Sequence, residues 1–114
     1  MPAEFNLKSE IRNNVLIIET IGYINNVGGQ KIIEEFSKYY PNTIGSVILN
    51  LEQSKVVNSI GISFLIEIIE KLNQSNGKLI FTNLEPAVEK TFTIMGLFQF
   101  AFKAPSVEEA FQQI

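Results

Sequence analysis

The sequence predicts an α/β fold, a single domain spanning residues 1–114 in which a mixed β-sheet of about five strands is covered by about four helices. Apolar residues alternate at strand spacing near the start of the chain. Later segments switch between short β-branched runs and stretches with helical periodicity. The predicted order is therefore β-β-α-β-α-β-α-β-α. We expect the first two strands to be antiparallel and the later ones parallel, because a helix separates each later strand from the next.

An antiparallel hairpin is predicted at the start of the chain. Phe5, Leu7 and Ile11 lie on one parity, as in a half-buried strand, and residues 15–21 form a second, β-branched run. The Asn13-Asn14 pair between them tolerates the positive φ angles that a tight hairpin turn requires.

The next segment has the periodicity of a helix. Five apolar residues recur on one helical face: Ile32, Ile33, Phe36, Tyr39 and Tyr40. The helix is expected to end before Pro41, because the residue that precedes a proline disfavours the α region. Gly28-Gly29 lacks the spacing of a phosphate-binding loop and is expected to relax the start of this helix.

A buried strand over residues 46–51 and a long helix over residues 59–76, stopped by Gly77, come next. The helix has a core face made of Ile62, Leu65, Ile66, Ile69 and Leu72. A second apolar stripe consists of Ile60, Phe64 and Ile68. That stripe is either buried against a neighbouring element or exposed as a surface for a partner.

The last third of the chain predicts a strand over residues 78–84, a third helix between Pro86 and Gly96, and a short strand over residues 98–102. A capping box, residues 106–109, begins the final helix. Four residues of that helix are expected to face the core: Val107, Ala110, Phe111 and Ile114.

The composition favours binding over catalysis. The chain has no Cys, His, Trp or Asp, so a disulfide, a Ser-His-Asp triad and a thiolate metal site are all excluded, and we expect no enzyme, cofactor or metal. A net charge of −3 counts against binding to nucleic acid or to an anionic membrane. No signal peptide or membrane segment is indicated, so a cytoplasmic protein is expected.

The start of the longest helix is the strongest candidate site. Asn58 or Ser59 would be its N-cap, and a helix N-terminus suits a phosphoryl group because it has a partial positive charge. Gly61 leaves the first turn without a side chain, so another molecule could approach closely. The alternative is that Ser59 is only a cap.

Four motifs, which occur along the chain in the order that the family shows, resemble the STAS domain family, and in particular the free-standing bacterial anti-sigma factor antagonists. Leu49-Asn50-Leu51 is similar to a family Leu-Asp-Leu strand, and residues 58–62 (Asn-Ser-Ile-Gly-Ile) to the family's Asp-Ser-x-Gly-Leu. Residues 22–25 (Gly-Tyr-Ile-Asn) resemble Gly-x-Leu-Asp. Residues 95–98 followed by residues 106–111 resemble the family's Gly-Leu segment and final helix. The resemblance covers nearly the whole chain and implies the STAS fold.

The resemblance also implies a mechanism. In that family an anti-sigma factor that doubles as a serine kinase phosphorylates the residue at the position of Ser59, the unphosphorylated antagonist binds that factor, and a serine phosphatase resets the switch. The partner-binding residues implied here are Asn25, Asn58, Ser59, Ile60, Gly61, Ser63, Phe64 and Glu67. A constitutive STAS scaffold, or a small subunit of a lipid-transport ATPase, is the alternative. Whether the chain forms a homodimer stays open.

Asparagine replaces the family aspartate at three positions: Asn25, Asn50 and Asn58. Asn keeps the size and capping ability of Asp but has no negative charge. The change would either stabilise a phosphate on Ser59 by removing repulsion, or prevent recognition by a kinase that reads Asp. Drift at tolerant positions is the third explanation. The expectation is that Ser59 lies in an uncharged setting lined by these asparagines.

Overall fold

The computed structural model describes residues 4–114, and its elements follow the predicted order. The strands are β1 (Asn6–Arg12), β2 (Val15–Ile21), β3 (Ser46–Gln53), β4 (Leu79–Thr82) and β5 (Phe102–Ala104). The α-helices are α1 (Asn26–Tyr39), α2 (Ser59–Gln74), α3 (Pro86–Ile94) and α4 (Val107–Phe111), and a 3-10 turn occupies Leu97–Gln99.

The five strands form one mixed sheet in the order β1-β2-β3-β4-β5. β1 and β2 are antiparallel, and the remaining pairs are parallel, as the pattern predicts. Asn13 (φ 52°) and Asn14 (φ 68°) both adopt the left-handed conformation between the paired residues Arg12 and Val15. This conformation is the one that a two-residue hairpin turn requires, so the hairpin prediction is confirmed.

The sheet has a helix layer on each face, and the two layers differ in size. Helices α1, α2 and α3 bury the main core against one face, where β3 contributes Val47, Leu49 and Leu51. On the other face the short α4 packs Ala110 against a smaller cluster that includes Ile48 and Ile80. Residues of opposite parity in one strand therefore point into different layers.

The short strand predicted over residues 98–102 is wrong in position. Gly96 (φ 80°) turns the chain into the 3-10 segment, and Phe98 packs edge-on against Phe81 in the main core. The strand begins only at Phe102. The pattern misplaced it because a core aromatic after a glycine turn resembles a strand residue.

Several other element ends also differ from the prediction. Helix α2 stops at Gln74 because Asn76 is left-handed (φ 60°) and the Gly77 N–H bonds back to the Leu72 carbonyl (N···O 2.8 Å). Strand β4 stops before Asn83, which is also left-handed (φ 57°). Helix α4 ends at Phe111, so Ile114 is 49% exposed rather than part of the core.

The sequence predicts that Gly28 and Gly29 relax the start of α1, and this prediction is wrong. Both glycines are buried within the helix. A Cβ at Gly28 would lie 2.7 Å from the carbonyl oxygen of Tyr23, and one at Gly29 would lie 2.5 Å from Cδ2 of Phe64. The two glycines therefore allow α1 to approach its neighbours closely. Among residues 4–114, no helix combines the length and apolar character needed to cross a membrane.

Candidate functional site

The candidate site lies where the parallel strands β2 and β3 end and their chains lead into α1 and α2. The two connecting loops run side by side. The Ile24 N–H donates to the Val56 carbonyl (N···O 3.0 Å), and the Asn58 N–H donates to the Ile24 carbonyl (3.1 Å). An isolated parallel bridge pairs Ile24 with Val57. These bonds hold the starts of the two helices at one edge of the sheet.

Asparagine caps both helices. The Asn25 Oδ1 accepts hydrogen bonds from the N–H groups of Val27 and Gly28, both at 3.0 Å. The Asn58 Oδ1 accepts one from the Gly61 N–H at 2.8 Å. Asn58, and not Ser59, is thus the N-cap of α2. Ser59 is the first helical residue and is exposed, so its hydroxyl is not required for capping.

Asn50 lies away from the other two asparagines, which corrects the expected setting of Ser59. It has the parity of Ile48, whose side chain belongs to the α4 layer, and it lines a cavity of about 350 Å³ together with Glu19 and Val107. Its Oδ1 accepts a hydrogen bond from the Glu52 N–H (3.1 Å). Only Asn25 and Asn58, of the three, belong to the site.

Gly61 does not leave room for another molecule. It is buried, and its Cα faces the carbonyl group of Ile24 so closely that any Cβ would collide with it. The missing side chain accommodates the protein's own loop after β2. The expectation of close approach by a partner at this position is therefore wrong.

The second apolar stripe of α2 is largely buried. Ile68 is inaccessible to solvent, and half-buried Phe64 packs on Gly29 of α1, whereas Ile60 is 54% exposed. The sequence leaves open whether this stripe is buried against a neighbouring element or exposed to a partner. Most of it is buried, so α2 is a helix buried on two sides. Ile60 alone remains available at the surface.

The two remaining predicted residues lie on the exposed face of α2. The Ser63 hydroxyl donates to the Ile60 carbonyl of its own helix (2.5 Å). The Glu67 carboxylate forms an ion pair with Lys71 at 3.5 Å. Both are accessible to a partner that docks along the first half of α2.

Sequence reasoning missed three exposed apolar residues beside Ser59. Tyr23, Val27 and Val56 are 43%, 50% and 54% exposed. We call these three residues together with Ile60 the Ser59 rim. Tyr23 and Val56 also line a cavity of about 520 Å³, in which Lys55 is the charged lining residue.

A sequence signal for the rim exists. Each capping asparagine has an exposed apolar residue two positions before it and two positions after it: Tyr23 and Val27 around Asn25, and Val56 and Ile60 around Asn58. The same pattern occurs at both helix starts, and the hydrogen bonds of Ile24 bring the two copies together. The result is an apolar surface around an exposed serine.

The chain is a small α/β domain. Its five strands lie in the order β1-β2-β3-β4-β5, three helices cover one face of the sheet, and a serine begins the second helix. The chain belongs to the STAS domain family, because residues 6–110 match the model of that domain.

Solved structures share this fold. An anti-sigma factor antagonist from Mycobacterium paratuberculosis is 17% identical, with a TM-score of 0.85 over 100% of this chain and 98% of that one. The Bacillus cell fate determinant SpoIIAA in its phosphorylated form is 22% identical, with a TM-score of 0.73 over 96% and 98% of the two chains. Murine Solute Carrier 26 family member A9, an anion transporter, is 16% identical, with a TM-score of 0.73 over 87% of this chain and 17% of the transporter.

Proposed function

We propose that this protein is a regulatory binding domain of the anti-sigma factor antagonist type. It binds a kinase-type anti-sigma factor through the Ser59 rim, and phosphorylation of Ser59 controls that binding. The observation that carries the proposal is exposed Ser59 at the first position of α2, at the edge where the hydrogen bonds of Ile24 join the two chain segments that carry the exposed apolar rim. A surface of this composition suits a protein partner, since exposed apolar clusters mark interaction sites.

The helix start supports a phosphorylated form that stays folded. Backbone N–H groups in the first turn of a helix lack intrahelical partners and give that end a partial positive charge. Asn58 satisfies the Gly61 N–H, whereas Ser59 and Ile60 supply donors from the same turn. A phosphoryl group adds about −1.5 to −2 charges at neutral pH, which this end of the helix stabilises.

The same phosphoryl group would oppose docking. In the free domain it is hydrated, but a partner that covers the rim would have to desolvate it among apolar side chains. The rim residues themselves would be unchanged. Phosphorylation would thus weaken binding without unfolding the domain.

Neutral caps favour a long-lived phosphoprotein. Asn25 and Asn58 are the N-caps beside Ser59, and each presents an amide in place of a carboxylate. No charge repulsion from either cap therefore acts on the phosphate.

Phosphorylation is tested by incubating the protein with its cognate kinase and ATP and measuring the intact mass. Wild type is expected to gain about 80 Da, one phosphoryl group, and Ser59→Ala to gain nothing. Ser63→Ala is the matched control, because Ser63 is an exposed serine one turn further along the same helix. Unmodified wild type, or modified Ser59→Ala, would contradict the proposed switch.

The amide caps also favour a second candidate, a constitutive STAS binding subunit such as a scaffold or a small partner of a lipid-transport ATPase. A kinase that recognises Asp beside its serine would not engage Asn25 and Asn58, and the rim would then bind without regulation. Affinity capture with wild type and with Ile60→Glu separates the candidates. Rim-dependent recovery of a kinase-fold protein supports the switch, whereas rim-dependent recovery of an ABC-type ATPase contradicts it.

A further inference from the structure

A second apolar surface lies at the other end of α2. A groove of about 580 Å³ separates the C-terminal half of this helix from the segment that follows α3. Its lining consists of Ile66, Ile69, Glu70, Asn73, Gln74, Met95, Gly96, Leu97 and Phe100. None of these residues belongs to the Ser59 rim.

The wall formed by α2 is a continuous helical stripe. Ile66, Ile69, Glu70 and Asn73 have the spacing i, i+3, i+4 and i+7, so they lie along one face for about 10 Å of the helix axis. On the opposite wall, Gly96 (φ 80°) turns the chain away from α3 towards Leu97 and Phe100. An elongated cleft beside a helix is the shape into which another helix packs.

The edge of the groove is unusually apolar for a surface. Met95 and Phe100, which line it, are 46% and 61% exposed, and Ile94, next to Met95 in the chain, is 74% exposed. A neighbouring cavity of about 460 Å³ shares Asn73 and Phe100 with the groove and extends it to Phe102, which is 40% exposed. Large apolar side chains in one such strip are characteristic of a surface that a partner covers.

The charge of the groove indicates the chemistry of that partner. Glu70 is the charged residue of the groove itself and is exposed, whereas Lys78, in the neighbouring cavity, donates to the Gln113 carbonyl. Within the described residues 4–114 Glu70 forms no ion pair, whereas Glu67, one turn earlier, is paired with Lys71. A ligand that fills the groove would therefore bring its cationic groups to Glu70 and its apolar groups to Ile66 and Phe100.

We propose that this groove binds an amphipathic helix of a partner protein, with an apolar face bordered by Lys or Arg. Apolar residues of the partner at helical spacing contact Ile66, Met95 and Phe100, and a basic residue beside them pairs with Glu70. The partner helix lies between α2 and the segment that follows α3. Aromatic side chains such as Phe100 commonly dominate the affinity of such contacts.

Binding in the groove is independent of the Ser59 switch. Glu70 follows Ser59 by eleven positions, about 16 Å along the helix axis, and a charge at Ser59 is screened over roughly 8–10 Å in physiological salt. The groove can therefore be occupied whether or not Ser59 is phosphorylated. Binding in the groove is expected even if Ser59 is never modified.

The test uses a display library of helix-forming peptides as long as α2, 16 residues, whose net charge ranges from acidic to basic. The library is selected on the wild-type protein and counter-selected on Phe100→Ala. Recovered peptides are titrated into isotope-labelled protein, and the shifted backbone resonances locate their site. Phe100 is mostly exposed, so the variant should keep the wild-type spectrum elsewhere.

We expect basic amphipathic sequences to be enriched and to shift resonances of the groove. Phe100→Ala and Glu70→Lys should each weaken binding by about tenfold or more. The control Glu52→Lys, at an exposed position outside the groove, and Ser59→Glu should change affinity less than about twofold. Enrichment of acidic peptides, no enrichment, or shifts confined to the Ser59 rim would overturn the proposal. Saturation by a small cationic amphiphile alone would also overturn it, since the groove would then be a small-molecule site.

Discussion

Phe64 of α2 lies directly over Gly29 of α1, so closely that a Cβ added at position 29 would be 2.5 Å from Phe64 Cδ2. This contact sets the separation of the two helices whose starts form the Ser59 rim. It also explains why Phe64, although it shares a stripe with exposed Ile60, is half-buried.

A methyl group at position 29 is therefore expected to destabilise the domain. Replacing a helical glycine by alanine normally stabilises a helix by about 1 kcal/mol, but overpacking against Phe64 should cost about 1–3 kcal/mol. Gly29→Ala should thus lower the free energy of unfolding in urea, whereas Ser37→Ala, at an exposed position of the same helix, should not. Adding Phe64→Leu should restore part of the loss. Equal stability of Gly29→Ala and wild type would show that the helices separate easily.

Phe64→Glu and Ile60→Glu are expected to act in different ways. The first places a carboxylate in the contact with Gly29 and should lower the free energy of unfolding by about 2 kcal/mol or more. The second alters an exposed rim residue, so it should change stability by less than about 0.5 kcal/mol and abolish partner binding. Thermal unfolding and a binding titration on both variants check this. A stable Phe64→Glu protein would mean that Phe64 leaves the helix contact readily and acts at the surface.

Removing the cap of α2 should cost stability, and restoring a carboxylate should not. Asn58→Ala loses the bond to the Gly61 N–H and is expected to lower the free energy of unfolding by about 1 kcal/mol. Asn58→Asp keeps an acceptor and adds a negative charge at the helix N-terminus, so its stability at pH 7 should match or exceed that of wild type. Urea unfolding of the three proteins measures the effect. A destabilised Asn58→Asp would indicate that the amide is needed for more than capping.

Glu35 makes the stability depend on pH in the acidic range. The Ser9 hydroxyl donates to this carboxylate at 2.5 Å, and that bond, followed by the bond from Lys38, lowers the pKa of Glu35 below its ordinary value of 4.5. Because the folded pKa is below the unfolded one, the stabilisation is complete above about pH 4.5 and is lost as the pH falls through the folded pKa.

The variant Glu35→Gln should therefore be less stable than wild type at neutral pH and approach it below the folded pKa. Unfolding free energies measured from neutral to acidic pH check this, and Ser9→Ala should reduce the pH dependence in the same direction. The control Glu34→Gln alters an exposed neighbour whose carboxylate accepts a hydrogen bond from Gln30 of its own helix. A wild-type advantage over Glu35→Gln that stays constant with pH would contradict the assignment.

Much of the fold follows from patterns within short segments. The Asn13-Asn14 turn, the order of strands and helices, and the Ser106 cap of α4 all agree with the sequence prediction, because each depends on neighbours in the chain. The prediction failed where a local pattern had two structural solutions. Phe98 could be a strand residue or a core aromatic in a turn, and its contact with Phe81 selects the second.

Some features of the candidate site are likewise visible in the sequence, whereas others depend on tertiary contacts. Strand parity shows that Asn50 and Leu49 point to opposite faces, but only the packed sheet shows that Asn50 faces α4 and not the site. Likewise, the apolar residues that flank Asn25 and Asn58 are visible in the sequence. These apolar residues come together in one rim only because Ile24 is hydrogen-bonded to Val56 and Asn58.

By itself, the sequence determined the class of fold, the order of its elements and the serine that begins the longest helix. These features arise from periodicity, capping and turn conformation, which act over a few residues. The tertiary structure alone decided which apolar residues of α2 are buried, what occupies the space beside Gly61, and which side chains surround Ser59. Burial depends on contacts between residues far apart in the chain, such as Gly29 with Phe64 and Ile24 with Gly61, and no local pattern specifies those pairs.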